Sequence, residues 1–421
     1  MLSIILIVSF FALLAFNVPV MVSLGLSSVV ALFVGGFSFD AISSTMSASI
    51  SKFVLLAIPF FILAGNAMEK VGISEKLIRL ATSLVGHRRG GMVIVCLIVC
   101  CFFAALSGSG PATVAALGMI VIPAMVNLGY RNSFAAALLA AGGTIGIIIP
   151  PSIPFVIYGS MTNASIGDLF KSGIVPGLLL GMLLTIVALF MTRNQDFDSL
   201  PKASWKERFE AFKDAFWSLL MPVVILGGIY GGIFTPTEAA AVAAGYGLFV
   251  GLFIYRTLTW KVFTQILTDS ALQTGVVMMI ISTASLFAYV LTIDGTIRML
   301  SGGVSEFASG STFKFFILFN VVLLIVGIVL EAVAAMYIVL PIFFPVAMQL
   351  GIDPIHLGCV MIINIGLGQI TPPVAVNLFV ACSISKITMQ EIVKESIPFL
   401  LALIVGLLLV TYIPSIALCL V

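Results

Sequence analysis

The chain has 421 residues, of which 61% are hydrophobic and 9% charged, with 19 Lys and Arg against 17 Asp and Glu for a formal net charge of +2. Soluble domains carry about 25% charged residues, so this chain cannot cover a water-facing surface, and a soluble enzyme, a disordered chain and a nucleic-acid binder are excluded. The apolar residues come in long runs rather than alternating, which indicates an all-α polytopic membrane protein and not a transmembrane barrel.

A spanning helix needs about 20 mostly apolar residues. In chain order such runs fall at roughly 3–34, 53–72, 132–160, 173–192, 217–233, 238–255, 271–292, 357–382 and 396–420. The first lacks a basic leader and is too long for a signal-peptide core, so it reads as one retained helix. Short helices near 74–86 and 295–308 act as arms. Two further runs, 91–126 and 313–348, are each broken near the middle, by SGSGPA (107–112) and GIVLEAVAA (327–335). They predict re-entrant helical hairpins, whose polar tips are tolerated at mid-membrane depth where they line a cavity. A single strongly tilted helix is the alternative for each. The polar stretch 193–214, rich in both charge signs, predicts a short interfacial helix starting near Ser204.

Laid on itself at an offset of 222 residues, the chain superposes Pro150-Pro151 on Pro372-Pro373, Gly146 on Gly368, Leu128-Gly129 on Leu350-Gly351 and Ala112 on Ala334. The register holds without a gap and predicts an inverted-topology repeat with two re-entrant hairpins and two broken helices, an architecture of secondary transporters. The domains are then a scaffold helix at 1–52, a first repeat at 53–192, a linker with scaffold helices at 193–270, and a second repeat at 271–421. Placing the Lys- and Arg-rich short loops inside puts the N-terminus in the cytoplasm and the C-terminus outside, with Lys52, Lys171, Arg298 and Lys314 dissenting.

The broken spans carry the chemistry. One reads GGTIGIIIPPSIP (142–154), the other NIGLGQITPPVAVN (364–377). Proline has no N–H and clashes with the preceding turn, so a Pro-Pro pair unwinds a helix and frees carbonyls. Freed carbonyls with Ser or Thr hydroxyls are hard ligands for an alkali cation, and half-helix N-termini favour an anion. A simple kink is the plain alternative, but two breaks at matched positions, each following a polar tip, favour a site. The first tip offers Ser107 and Ser109 between glycines. The second offers Gly327 and Glu331, the carboxylate inside a strongly apolar run, suited to binding a cation, relaying a proton or accepting substrate hydroxyls; a turn residue reaching water is the alternative.

Other features are less informative. The six cysteines, Cys96, Cys100, Cys101, Cys359, Cys382 and Cys419, lie in apolar stretches without a CxxC pair, and with only two histidines no zinc or haem site is expected. His356 falls in a predicted loop and is given no role. Glu238 reads as a first-turn helix residue capped by Thr235 or Thr237. SGSGPA places a serine between glycines, yet no buried His or Lys base accompanies it, which leaves an intramembrane serine hydrolase as a distant alternative.

GSGPATVAALG (108–118), GTIGIIIPPSIPFVIYG (143–159), FTPTEAAAVAA (234–244) and IGLGQITPPVAVNLFV (365–380) resemble the large membrane subunit of tripartite ATP-independent periplasmic (TRAP) transporters, in family order and across essentially the whole chain. The resemblance implies an elevator-type, sodium-driven symporter of the ion-transporter superfamily in the bacterial inner membrane. Its partners would be a small four-helix membrane subunit and a periplasmic substrate-binding protein; a stand-alone sodium/dicarboxylate symporter is the alternative. The family's first sodium site maps onto Ser107, Ser109, Gly146, Ile149 and Pro151, and its second onto Gly327, Gly366, Gly368 and Thr371. Substrate contacts map near Ser107, Ser152 and the second tip, where the family usually has Asp and this chain has Glu331. Substrates implied are four-carbon dicarboxylates, sialic acids and sugar acids. With no evident buried Arg pair, the residues tilt toward a polyhydroxylated monocarboxylate such as sialic acid.

Overall fold

The computed structural model describes residues 2–195, 197 and 200–421, so Asp196 and Asp198 of the polar stretch lie outside the described residues. In lipid every backbone N–H and C=O must be bonded within its own segment, and the described residues form helices without a strand. Nine of these helices are long and apolar enough to cross a membrane.

The chain opens with α1 (Leu2–Ala15), α2 (Val20–Val34) and α3 (Asp40–Ile50). The run 3–34, expected as one helix, is therefore two. Asn17 takes a left-handed backbone with φ 61°, and Pro19 pushes its predecessor out of the helical region. The two helices fold back on each other: a β-carbon built on Gly35, past the end of α2, would stand 2.6 Å from the Leu2 side chain. The Ser3 N–H donates to the Asp294 carboxylate at 3.0 Å, and Ser3 holds that carboxyl down to about 2. The start of α1 thus lies at the Asp294 end of the molecule, and the run 3–34, as two helices folded back on each other, does not make the single crossing expected of it.

Next come α4 (Ala57–Lys70), α5 (Ile73–Val85), the hairpin α6 (Gly91–Ser107) and α7 (Gly110–Asn127), the broken span α8 (Asn132–Thr144) and α9 (Ile153–Thr162), and α10 (Ile166–Thr192). After the polar stretch follow α11 (Trp205–Tyr230) and α12 (Pro236–Phe249). The interfacial helix expected at Ser204 is not separate: Ser204 and Glu207 cap α11 reciprocally, and the helix runs unbroken through Pro222 for 26 residues. Thr235 and Glu238 form the same reciprocal cap on α12.

The remaining elements are α13 (Trp260–Ile293), α14 (Thr296–Ala308), the hairpin α15 (Thr312–Val329) and α16 (Ala332–Gln349), the broken span α17 (Pro354–Gly368) and α18 (Val376–Ser385), α19 (Met389–Tyr412) and α20 (Pro414–Leu418). The run 396–420 is thus α19 plus a short terminal helix. His356, expected in a loop, is a buried first-turn residue of α17, because Asp353 caps that helix with Pro354 in its first turn. One ring nitrogen lies 2.9 Å from the Val410 carbonyl.

The two hairpins stand on opposite faces. The feet of α6–α7 meet the central polar stretch, where Arg89 donates to the Arg193 carbonyl and Tyr130 stacks on Phe197 at 3.8 Å. Nearby Arg131 pairs with Glu395 at 2.8 Å, at the start of α19. The foot of α15 meets the far end of α19, with Phe313 against Tyr412 at 4.9 Å. Helices α7 and α16 begin at Gly110 and Ala332, and each is 18 residues long.

Candidate functional site

Both hairpin tips and both broken spans converge at the centre. In the first tip Gly108 turns the chain with φ 59°, where a β-carbon would strike the Pro151 carbonyl at 2.9 Å. The tip therefore lies directly on the Pro150-Pro151 break. The Ser107 hydroxyl is 2.9 Å from the Thr113 hydroxyl, which itself donates to the Ser109 carbonyl at 2.9 Å. Gly146 closes against this group, its missing β-carbon 2.8 Å from Thr113 Oγ1 and 2.9 Å from the Ser109 carbonyl oxygen. Ser107, Ser109, Gly146 and Pro151 are thus brought together. Ser152 is fully buried, and its hydroxyl donates to the Ile147 carbonyl at 2.5 Å. The Ile149 side chain packs instead against α10 at Gly177.

The second tip is built differently. Gly327 and Gly368 touch through backbone, a β-carbon on Gly368 falling 2.7 Å from the Gly327 carbonyl oxygen. Glu331 caps α16, accepting from the Val333 N–H at 3.3 Å. Thr371 donates to the Leu367 carbonyl at 2.7 Å. Gly366 faces not the second tip but the other broken span, its β-position 3.5 Å from the Thr144 carbonyl.

The sequence pattern assigns no role to Thr113, Gln369 and Asn377. Thr113 sits six residues after Ser107 in the first turns of α7, where its hydroxyl can turn back on the tip. Gln369 and Asn377 both reach Gly110 from the second broken span; their Oε1 and Oδ1 atoms are buried without a hydrogen-bond partner. Amides in an apolar broken span were the available signal.

A cavity of about 140 Å³ lies between the tips. Its polar side chains are Ser109, Glu331 and Gln369; among the described residues no Lys or Arg lines it. The starts of four half-helices face it, α7 at Pro111, α9 at Ile153, α16 at Ala332 and α18 at Val376. Their N–H groups and dipoles give it a positive character that no side chain supplies. A vestibule of about 550 Å³ shares Ser109 and Val277 with the cavity and extends past Asn66, Glu69 and Gln273. It leads toward the face of the Lys70–Asp269 pair.

A family model described as "Tripartite ATP-independent periplasmic transporter, DctM component" matches residues 7–416. The C4-dicarboxylate TRAP transporter large permease protein of Pseudomonas aeruginosa is 45% identical over 94% of this chain and 93% of its own length. The sialic acid TRAP transporter large permease protein of Vibrio cholerae is 38% identical over 90% of this chain and 88% of its own length. Among solved structures, the YdaH transporter of Alcanivorax borkumensis shares the fold, with a TM-score of 0.63 at 16% identity, covering 89% of this chain and 87% of that one.

Proposed function

The chain belongs to the DctM family of tripartite ATP-independent periplasmic transporters, and from that membership we infer that it takes up a small organic acid by sodium symport. A periplasmic binding protein delivers the acid, and a small four-helix subunit completes the membrane complex in the bacterial inner membrane.

The observation that carries this reading is the central cavity. Four half-helix starts and no cationic side chain face it, so an anion there is held by backbone dipoles and by cations that enter with it. Ser107, Ser109, Gly146, Ile149 and Pro151 form the proposed first sodium site. Gly327, Gly366, Gly368 and Thr371 form the second. Of the three expected substrate residues, Glu331 lines the cavity and orients the acid, while Ser107 and Ser152 support the tip and the break behind it.

The substrate class we favour is a four-carbon dicarboxylate rather than the sialic acid toward which the residues tilt. The cavity of about 140 Å³ is small against the roughly 300–1,000 Å³ of drug-sized ligand sites, and the relative at 45% identity is a C4-dicarboxylate permease. A hydroxylated acid is the second reading, favoured by the acceptors Glu331 and Ser109.

The hairpins and broken spans form two inverted repeats and move as one body past a scaffold of α1–α2, α11, α12 and the small subunit, with α5 and α14 as arms. Of the 19 Lys and Arg, all but Lys52, Lys171, Arg298 and Lys314 lie toward the face of the central polar stretch, which we assign to the cytoplasm. The vestibule then opens inward, and both termini lie outside.

Vesicles holding both membrane subunits, fed by binding protein loaded with labelled succinate or sialic acid, test the reading. Sodium-dependent succinate uptake is expected. Uptake driven equally by a proton gradient without sodium refutes the coupling, and sialic acid uptake alone refutes the substrate class.

A further inference from the structure

A groove runs between α5, α6, α10 and α11 from the basic face toward the middle of the molecule. Its outer part, about 290 Å³, is lined by Leu80, Leu84, Ile98, Phe102 and Phe212, with Arg208 as its charged wall residue. Its inner part, about 400 Å³, shares Ile98 and Phe102 and continues to Ile149, Leu178 and Pro222. The inner walls offer almost no polar group, since the Thr185 hydroxyl is spent on the Gly181 carbonyl at 2.7 Å. Phe102, Leu178 and Phe212 are 44%, 55% and 45% exposed, so the groove is open along its side.

The mouth has the opposite chemistry. Partial burial, then the charges of Arg208, Lys202 and Arg88, hold the His87 imidazole below its ordinary range. His87 Nδ1 is buried without a partner. Arg208 donates through Nε to the Ser83 carbonyl at 3.2 Å and lies over the Trp205 ring. Two nearby acids are engaged elsewhere: Glu207 caps α11, and Asp214 pairs with Arg79 at 2.7 Å. Among the described residues neither Arg88 nor Lys202 meets a carboxylate at ion-pair distance. Trp205, 84% exposed, marks the headgroup level.

We propose that this groove is a binding site for an anionic phospholipid, with the phosphate on the His87, Arg88, Lys202 and Arg208 cluster and an acyl chain between α6 and α11. A cationic mouth on a continuous hydrocarbon channel matches an amphiphile and not a free anion. The leaflet rests on the orientation proposed above; the site itself does not depend on the substrate or its coupling. Since α6 belongs to the proposed moving body and α11 to the scaffold, the acyl chain fills a seam along which the two slide.

The test is native mass spectrometry of the two-subunit complex in mild detergent with equal phosphatidylglycerol and phosphatidylcholine. Phosphatidylglycerol should be retained about tenfold over phosphatidylcholine, from a few basic groups near one headgroup. The combined Arg88→Gln, Lys202→Gln, Arg208→Gln variant should lose that preference. Ile98→Trp, which fills the channel and leaves the cluster intact, should lower retention of both lipids. Melting without lipid reports the fold of each variant; if the triple variant melts early, Lys202→Gln alone gives the same comparison. Equal retention of the two lipids by the unaltered complex overturns the proposal. So does unchanged retention in a folded charge variant or in Ile98→Trp. Displacement of phosphatidylglycerol by an equal concentration of glycerol 3-phosphate also overturns it, because the tail would then contribute nothing.

Discussion

The two hairpin tips share a plan and differ in closure. Every residue of the first break, 142–154, is buried, and its tip is knitted by Ser107, Thr113 and the Ser109 carbonyl. In the second break Pro372 and Pro373 are exposed and Thr371 is half-buried, and at its tip the Glu331 side chain accepts from the Val333 N–H at 3.3 Å while Gly327 meets Gly368 through backbone. A buried polar cluster with its hydroxyls already oriented costs little to bind a cation; an open one must be ordered as it binds. In the sodium symport proposed above, the first side is then the preformed cation seat and the second the side that closes around what arrives.

The glycine contacts give the sharpest way to break that contrast. Gly368→Ala drives a β-carbon to 2.7 Å from the Gly327 carbonyl oxygen, and Gly146→Ala to 2.9 Å from that of Ser109. Overpacking of this kind costs about 1–3 kcal/mol. In the loose second side the tip yields, so Gly368→Ala should abolish uptake with a small change in melting. In the tight first side nothing yields, so Gly146→Ala should lower the melting temperature more. Scanning calorimetry beside uptake decides, and the reversed pattern removes the distinction.

Glu331→Gln comes next. The amide oxygen still accepts from Val333, so the cap survives while the charge is lost. Hydrogen bonds to charged groups contribute about 1.5–3 kcal/mol, which predicts uptake reduced by roughly 10- to 100-fold at unchanged expression. Unaltered uptake means that the second tip closes without that charge.

Hydroxyl deletions should show a smaller difference. Ser107→Ala and Thr113→Val each remove a member of the preformed cluster and should raise the sodium concentration for half-maximal uptake, at about 1 kcal/mol of stability each. Thr371→Ala should do so less, because Thr371 lies on the more open side, half-buried beside exposed prolines, where the ligands must be ordered as the ion binds. A larger effect at Thr371 than at Ser107 would invert the assignment of the preformed seat.

Much of this centre was legible in the sequence because proline and glycine act locally. Pro150-Pro151 and Pro372-Pro373 break helices wherever they fall, and the tips at 107–112 and 327–335 are polar against long apolar flanks. The misreadings have the opposite cause. Asn17 and Pro19 interrupt a run whose hydropathy stays high on both sides, so composition read one helix where backbone geometry makes two. Ser204 begins a polar turn, yet its cap launches a helix that continues into the membrane. Thr113, Gln369 and Asn377 depend on packing between distant segments, Gln369 and Asn377 reaching Gly110 from more than 250 residues away, and no local pattern carries that.

The smallest predicted effect lies at Ala375. This residue opens α18 with φ 38° and ψ 56°. The left-handed region costs a non-glycine residue roughly 1–2 kcal/mol. At the corresponding start of α9, Ser152 is extended, with φ −130° and ψ 128°. The second side alone carries this strain, next to the exposed prolines. Ala375→Gly removes the steric cost but adds freedom to the unfolded chain worth about 0.5–1 kcal/mol, so the net gain in stability should be under about 1 kcal/mol. A tip that closes by reordering this turn should also lose some of its bias toward the present conformation. The expected outcome is a slightly higher melting temperature together with a modest change in the sodium concentration for half-maximal uptake. Ser152→Gly, at an unstrained and fully buried position whose hydroxyl bonds Ile147, should move melting the other way. Equal and opposite shifts would show that the two breaks differ in strain; a fall in melting for both would show that the second turn is held as firmly as the first.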